Sequence, residues 1–163
     1  MRPSSIWFSL VFICIAPNAD ASVIKCQEAF KATRETRQVA LNISSSEAFL
    51  IVGDIAAKFG LNAKDIMVSE CPTIDNAAAD YSIGTQTILP GEYILYNQNW
   101  VSQVAGSDRT ELYAIFAHEL GHLANRHFLK PAMSRRDKEI EADKFAGCVV
   151  ATVIPPVING LQR

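Results

Sequence analysis

The sequence has no apolar run long enough to cross a bilayer. Its longest, Ile6 to Ala16 and Phe145 to Ile154, each hold only about half of the roughly 20 residues a helical span requires. A membrane-embedded domain is therefore not expected in the mature chain. Neither sign of charge dominates: 15 basic and 17 acidic residues give a formal net charge of −2. That balance speaks against a nucleic-acid partner or binding to an anionic membrane surface. No two cysteines stand in CxxC spacing, which removes zinc knuckles and thioredoxin-like motifs. No internal repeat or low-complexity tract divides the chain, so one domain around one core is expected.

The first residues read as a secretory signal. Arg2 supplies a positive start, Ile6 to Ala16 an apolar stretch, and Ala19-Asp20-Ala21 a small-x-small cleavage pattern. Residues 1–21 are expected to be removed, leaving 22–163 as a single exported domain, periplasmic or secreted. The cysteines left are Cys26, Cys71 and Cys148. In an oxidising compartment two of them can pair, in any of three combinations, and a Cys148 lodged in an apolar run can equally be a buried thiol.

Periodicity sorts the rest into an α+β domain. Lys25 to Val39 reads as a helix with a modest apolar face. Ser44 with Glu47 forms a capping box, and it opens a helix with Phe49, Val52, Ile55, Ala56 and Phe59 at helical spacing, ending at Gly60. Ile66 to Val68, Thr85 to Leu89 and Glu92 to Asn97 are rich in β-branched and aromatic residues, with a hairpin turn expected at Pro90-Gly91. They predict a small antiparallel sheet. Asp108 and Glu111 cap a long helix from Arg109 to about Phe128. After Pro131, a last helix runs from near Asp137 to Ile154, stopped by Pro155-Pro156.

Within the long helix stands His118-Glu119-Leu120-Gly121-His122. Residues four apart share a helix face about one turn apart, so the two imidazoles can converge on one metal ion. Glu119 between them can take a proton from water at that ion. A third ligand is needed. Histidine six residues past His122 would make a metzincin, but that position holds Phe128. His127, five residues past, would be turned about 140° from the ligand face of a continuing helix, which suits a surface or supporting role. The second helix offers Glu139-Ile140-Glu141-Ala142-Asp143, where Glu139 and Asp143 share a face and Glu141 points away. Glu139 could ligate the metal while Asp143 accepts the free ring N–H of a ligand histidine.

His118 to His122, followed by Ser134-Arg135 and Glu139-x-Glu141-Ala142-Asp143-x-x-Ala146-Gly147, resembles the HtpX- and BepA-like gluzincin metallopeptidases, which pair HExxH with a downstream ExxxD. The resemblance covers about Phe116 to Gly147. Asn76-Ala77-Ala78-Ala79 also resembles the family's N-A-x-A stretch ahead of the edge strand, and Gly84 and Gly91 a thin version of its glycine-rich loop. It implies a zincin-like fold, with one helix carrying HExxH and the next carrying the third ligand. It also implies one zinc ion per chain, held by His118, His122 and Glu139, with Asp143 behind a ligand histidine. Arg135 would orient the acidic cluster. Glu119 would be the general base of peptide hydrolysis, with a polypeptide as substrate.

A second electrophilic donor for the reacting carbonyl could come from Tyr93, Tyr96, Arg135 or His127. The run Tyr93, Ile94, Leu95, Tyr96 and Asn97 could hold an extended peptide by adding a strand to the sheet, which would suit unfolded substrates and a role in envelope protein quality control. The competing class is a non-catalytic, zinc-stabilised module that binds unfolded chains. An intact Glu119 argues against it, because a structural zinc needs no general base.

Overall fold

Three strands, β1 (Ile66–Glu70), β2 (Ala77–Ser82) and β3 (Gly91–Tyr96), form one sheet in the order β1-β3-β2. The computed structural model describes Cys26 and residues 43–85 and 88–153. The expected signal segment 1–21, the expected Lys25 to Val39 helix apart from Cys26, and the expected stop at Pro155-Pro156 lie outside the described residues.

The sheet is mixed, not antiparallel. β3 lies parallel to β1, with Val68 opposite Ile94, and antiparallel to β2, with Ala79 opposite the same Ile94. A hairpin signal reports only the strand next to β3 in sequence. It is silent on the partner across β3's other edge. Thr85 to Leu89 is not that hairpin strand. Its described residues Thr85, Ile88 and Leu89 belong to no strand, and Thr85 N–H donates to Ile88 O at 2.8 Å while Thr85 Oγ1 accepts from Ile88 N–H at 3.0 Å. Pro90-Gly91 stands at the start of β3 instead of forming a hairpin turn. Gly91 holds φ 146°, and a Cβ there would meet Met67 Cε at 2.8 Å.

β3 is buried on both faces. Ile94 and Tyr96 join Ile66, Ala77 and the helices in the main core, while Tyr93 and Leu95 pack against Cys71, Ile74 and Ile88 on the other side. Period-two alternation in β3 thus separates two apolar layers, not an inside from an outside.

Four helices are described: α1 (Ile43–Lys58), α2 (Gln98–Ala105), α3 (Arg109–Ala124) and α4 (Arg135–Val153), with short 3-10 turns at Ala63–Asp65 and His127–Leu129. α1 begins one residue ahead of the expected Ser44 cap and ends at Lys58, with the expected stop Gly60, whose φ is 70°, two residues on. Its buried stripe is Ala48, Ile51, Val52, Ile55 and Ala56; Phe49, expected in that stripe, is 54 % exposed. α2 has no counterpart in the expected elements. Asn97 caps it, accepting Trp100 N–H at 3.1 Å while its amide donates to Ile74 O at 2.7 Å. α3 stops at Ala124, short of Phe128, because the chain reverses at Arg126. Among the described residues no helix is long and apolar enough to cross a membrane.

Cys26 and Cys71 form a disulfide across 45 residues of chain, fully buried against the Tyr93 and Leu95 face of β3. Among the described residues Cys148 is the free thiol, and it is exposed, not buried. A bridge closing a loop of this length removes much of the unfolded chain's freedom. Replacing Cys26 and Cys71 with serine is expected to lower the unfolding free energy by about 2–5 kcal/mol in denaturant titrations. An unchanged midpoint would show that the bridge is dispensable to the fold.

Candidate metal centre

α3 begins at Asp108, whose carboxylate accepts the N–H groups of Thr110 at 2.7 Å and Glu111 at 3.4 Å. Its buried stripe of Tyr113, Phe116, Ala117, Leu120 and Leu123 binds it to the sheet and to α1. Phe116 meets Tyr96 edge-on with ring centres 5.4 Å apart, and Tyr113 Oη donates to Asp54 Oδ2 at 2.9 Å. α4 begins at Ser134, whose hydroxyl oxygen accepts Asp137 N–H at 3.1 Å.

The two helices touch where α3 has no side chain. A Cβ built on Gly121 would lie 3.0 Å from Ala142 Cα and 3.1 Å from both Ala142 O and Phe145 Cβ. Gly121 in the HExxH run is therefore a packing residue. It lets α4 approach until Glu139 comes level with the histidines.

Three donor atoms then converge. His118 Nε2 and His122 Nε2 are 3.1 Å apart, and Glu139 Oε2 is 3.2 Å from the first and 3.6 Å from the second. Zinc bonds of roughly 2.0–2.2 Å at tetrahedral angles set donor separations of about 3.3–3.5 Å. The triangle is close to one face of such a tetrahedron, and among the described residues these three form the cluster able to hold a metal. Three protein donors is the number found in catalytic zinc sites, whereas structural sites use four.

The back of each ring is held as well. His118 Nδ1 lies 2.9 Å from Asp143 Oδ1, and His122 Nδ1 lies 2.8 Å from His127 Nδ1. Burial, followed by the charge of His118, holds the His122 imidazole below its ordinary pKa, which favours the neutral form that a metal requires. Arg135 is 94 % exposed and reaches only Glu139, 3.7 Å away, a screened contact of little energy. Glu141 faces away from the triangle, toward His127 and Lys130.

Glu119 is 8 % exposed. Burial pushes its carboxyl up to about 7, against the pull of His118 and of a hydrogen bond from Ala79 N–H, while Glu139 pushes it up further. A carboxyl poised near neutrality beside a metal-binding triangle can both accept and return a proton at physiological pH.

The Tyr93 to Asn97 run does not reach this site. β3 is the central strand, with both edges already paired, so it has no free groups to take another strand. Its side chains are buried in the two cores: Tyr93 Oη donates to Leu89 O at 2.7 Å, and Asn97 serves as the cap of α2. Tyr93 and Tyr96 are thereby removed as electrophilic donors, and His127 sits behind His122, away from the triangle. The strand beside the site is β2. Its Ala77-Ala78-Ala79 is the edge strand itself, not a stretch ahead of it, and Ala79 N–H bonds Glu119. Asn97 N–H donates to Asn76 O at 2.7 Å, and strand alternation from that bond turns the backbone groups of Ala77, Ala79 and Tyr81 outward. A cleft of about 340 Å³ opens at this end of β2, with Ala77, Trp100, Ile115 and Ala146 as its apolar wall and His118 and Glu119 at its edge.

Two substitutions test this construction. Gly121→Ala should destabilise the protein by about 1–3 kcal/mol through overpacking and weaken metal retention, although alanine is the better helix former by about 1 kcal/mol. A stabilised variant would show that the helices can part without strain. For Glu119, a folded-state pKa raised from 4.5 to about 7 means that its contribution is fully present below about pH 4.5 and lost as pH rises through 7. In the metal-free protein Glu119→Gln should therefore be more stable than the wild type by about 1–3 kcal/mol at pH 8, and little different at pH 4. Urea unfolding at the two pH values checks this, and a pH-independent difference would refute it.

The sequence model of Peptidase family M48 matches residues 47–135, from α1 through the sheet and the HExxH helix to the first residue of α4. No curated protein and no solved structure matches the chain. The match covers more than half of the chain and includes His118, Glu119 and His122. The chain belongs to peptidase family M48 and is a metallopeptidase.

Proposed function

We propose that the chain is a zinc-dependent endopeptidase with a zincin-like site, in which His118, His122 and Glu139 hold one zinc ion and Glu119 is the general base. The observation that carries this reading is a buried Glu119, its carboxyl raised to about 7, beside a triangle of donors 3.1, 3.2 and 3.6 Å apart. Zinc in such a site acidifies a coordinated water and polarises the reacting carbonyl. Glu119 accepts the water's proton as the carbonyl carbon is attacked and passes it to the leaving amine. Its hydrogen bond from Ala79 N–H keeps the carboxylate aimed along the edge of β2. Asp143 keeps His118 Nε2 directed into the triangle.

Apart from Ala79 N–H, which Glu119 takes, the outward backbone groups of β2 suit an extended stretch of polypeptide joined to the sheet as one more strand. Backbone pairing is indifferent to side-chain identity, so unfolded or flexible chains are the expected substrates. The apolar cleft at Trp100 and Ile115 favours a bulky apolar residue close to the scissile bond. The Cys26–Cys71 disulfide supports an oxidising location, in keeping with export and a role in envelope protein quality control.

With casein as substrate, Glu119→Gln should retain zinc and lose turnover by about 10²–10⁴-fold. Glu139→Ala should lower zinc occupancy far more than Glu141→Ala, as read by metal analysis. Full activity in the first variant would end the general-base assignment, and the reverse order in the second pair would reassign the third ligand.

A further inference from the structure

His127 is not among the proposed ligands, yet it is only 4 % exposed and lies against the His122 ring, with centres 4.9 Å apart and planes at 75°. The backbone is turned sharply to put it there. Arg126 has φ 51°, the one positive φ on a non-glycine among the described residues, and it folds the chain back over the last turn of α3. The 140° offset of a continuing helix therefore never arises.

The hydrogen bonds around His127 have one consistent direction. Its Nε2 lies 3.0 Å from Glu141 Oε2, an oxygen that also receives Lys130 Nζ at 3.3 Å. An ionised carboxylate only accepts, so a neutral His127 carries its hydrogen on Nε2 and leaves Nδ1 bare. That bare Nδ1 is 2.8 Å from His122 Nδ1, which must therefore donate. With its hydrogen on Nδ1, His122 has a bare Nε2, and this is the atom that faces His118 Nε2 and Glu139 Oε2. The chain from Glu141 through His127 to His122 imposes the one neutral tautomer that can ligate a metal from inside the triangle.

We infer that His127 is the positioning residue of His122, itself anchored by Glu141, and does for that ring what Asp143 does for His118. The inference rests on the reading of His118, His122 and Glu139 as metal ligands. It gives separate duties to two acids on α4 that lie two residues apart: Glu139 faces the metal position and Glu141 the relay. His127 is no alternative ligand, because its bare nitrogen faces His122 Nδ1, on the far side of the ring from the triangle.

The test uses the full mature protein with two readouts. In the metal-free wild type, ¹⁵N NMR of the imidazoles should find His122 protonated on Nδ1. Zinc affinity, measured by chelator competition, should fall by about 10–100-fold in His127→Phe, which fills the space without an acceptor. His127→Asn, whose amide oxygen can take the place of Nδ1, should recover most of that loss. Glu141→Leu should weaken zinc binding on its own and add little in the His127→Phe background. If His127→Phe fails to fold, Glu141→Leu and His127→Asn carry the comparison. Zinc affinity unchanged in Glu141→Leu or in folded His127→Phe, or His122 protonated on Nε2, would overturn the inference while leaving the ligand set intact. A wild type that binds no zinc would overturn the ligand reading instead.

Discussion

The close approach of α3 and α4 at Gly121 is the constraint on which the site depends. With 3.0 Å from an added Cβ to Ala142 Cα, the helices are as near as a glycine allows. Each helix alone carries an incomplete set: two imidazoles on one, and acids on the other. Neither can be repaired by loop movement, because both helices are buried along Leu120, Leu123, Ala142, Ala146 and Val149. Packing free energy from the core is therefore what holds the donors of the triangle together. The same approach places Asp143 behind His118 and Glu141 behind His127, so one contact sets the metal face and both supports.

The sheet contributes through its order. Because β3 takes the centre, β2 is left as an edge, and it is β2 that borders α3. An edge strand next to the proposed base is a liability for aggregation, yet an edge can also pair with an extended chain. Glu119 spans both parts of the site. Its neighbours on α3 face the metal position, and its carboxylate takes a hydrogen bond from the edge strand at Ala79. Burial of an ionisable group with so little solvent is costly to the fold. The fold tolerates it where a buried apolar residue would serve stability better, which is a mark of function.

Much of the site could be read from local sequence because its chemistry lies in helices. Spacing of three and four residues places side chains on known faces, so His118, His122, Glu139 and Asp143 follow from periodicity and resemblance alone. The Asp108 cap and the Gly60 stop are equally local. The sheet was less legible. Ala77-Ala78-Ala79-Asp80 has weak strand propensity and gains its strand from pairing with β3, whereas Thr85, Ile88 and Leu89 lie in no strand. The parallel pairing of β1 with β3 is a long-range fact that no hairpin signal carries. Substrate contacts placed on Tyr93 to Asn97 failed for that reason: the most strand-like segment is the one the core buries most deeply. α2 escaped notice because Gln98 to Ala105 is short and polar, and its signal was the cap at Asn97.

His127 shows most plainly where periodic reasoning stops. Projecting a helix beyond its end gives an angle of no meaning once the chain has left the helix, and α3 ends three residues before His127. What decides its place is Arg126, an arginine in a conformation more often given to glycine or asparagine, with no local sequence mark. The family match also ends at Arg135, ahead of Glu139, Glu141 and Asp143. The second half of the site thus rests on physical geometry: three acids on one helix, separated by face into a ligand position, a support for His118 and an anchor for His127. A solvated acidic helix face would show no such division. Glu139, Asp143 and Glu141 each engage a different histidine arrangement, and that partition is the strongest structural argument that the cluster is built for a metal rather than for solubility.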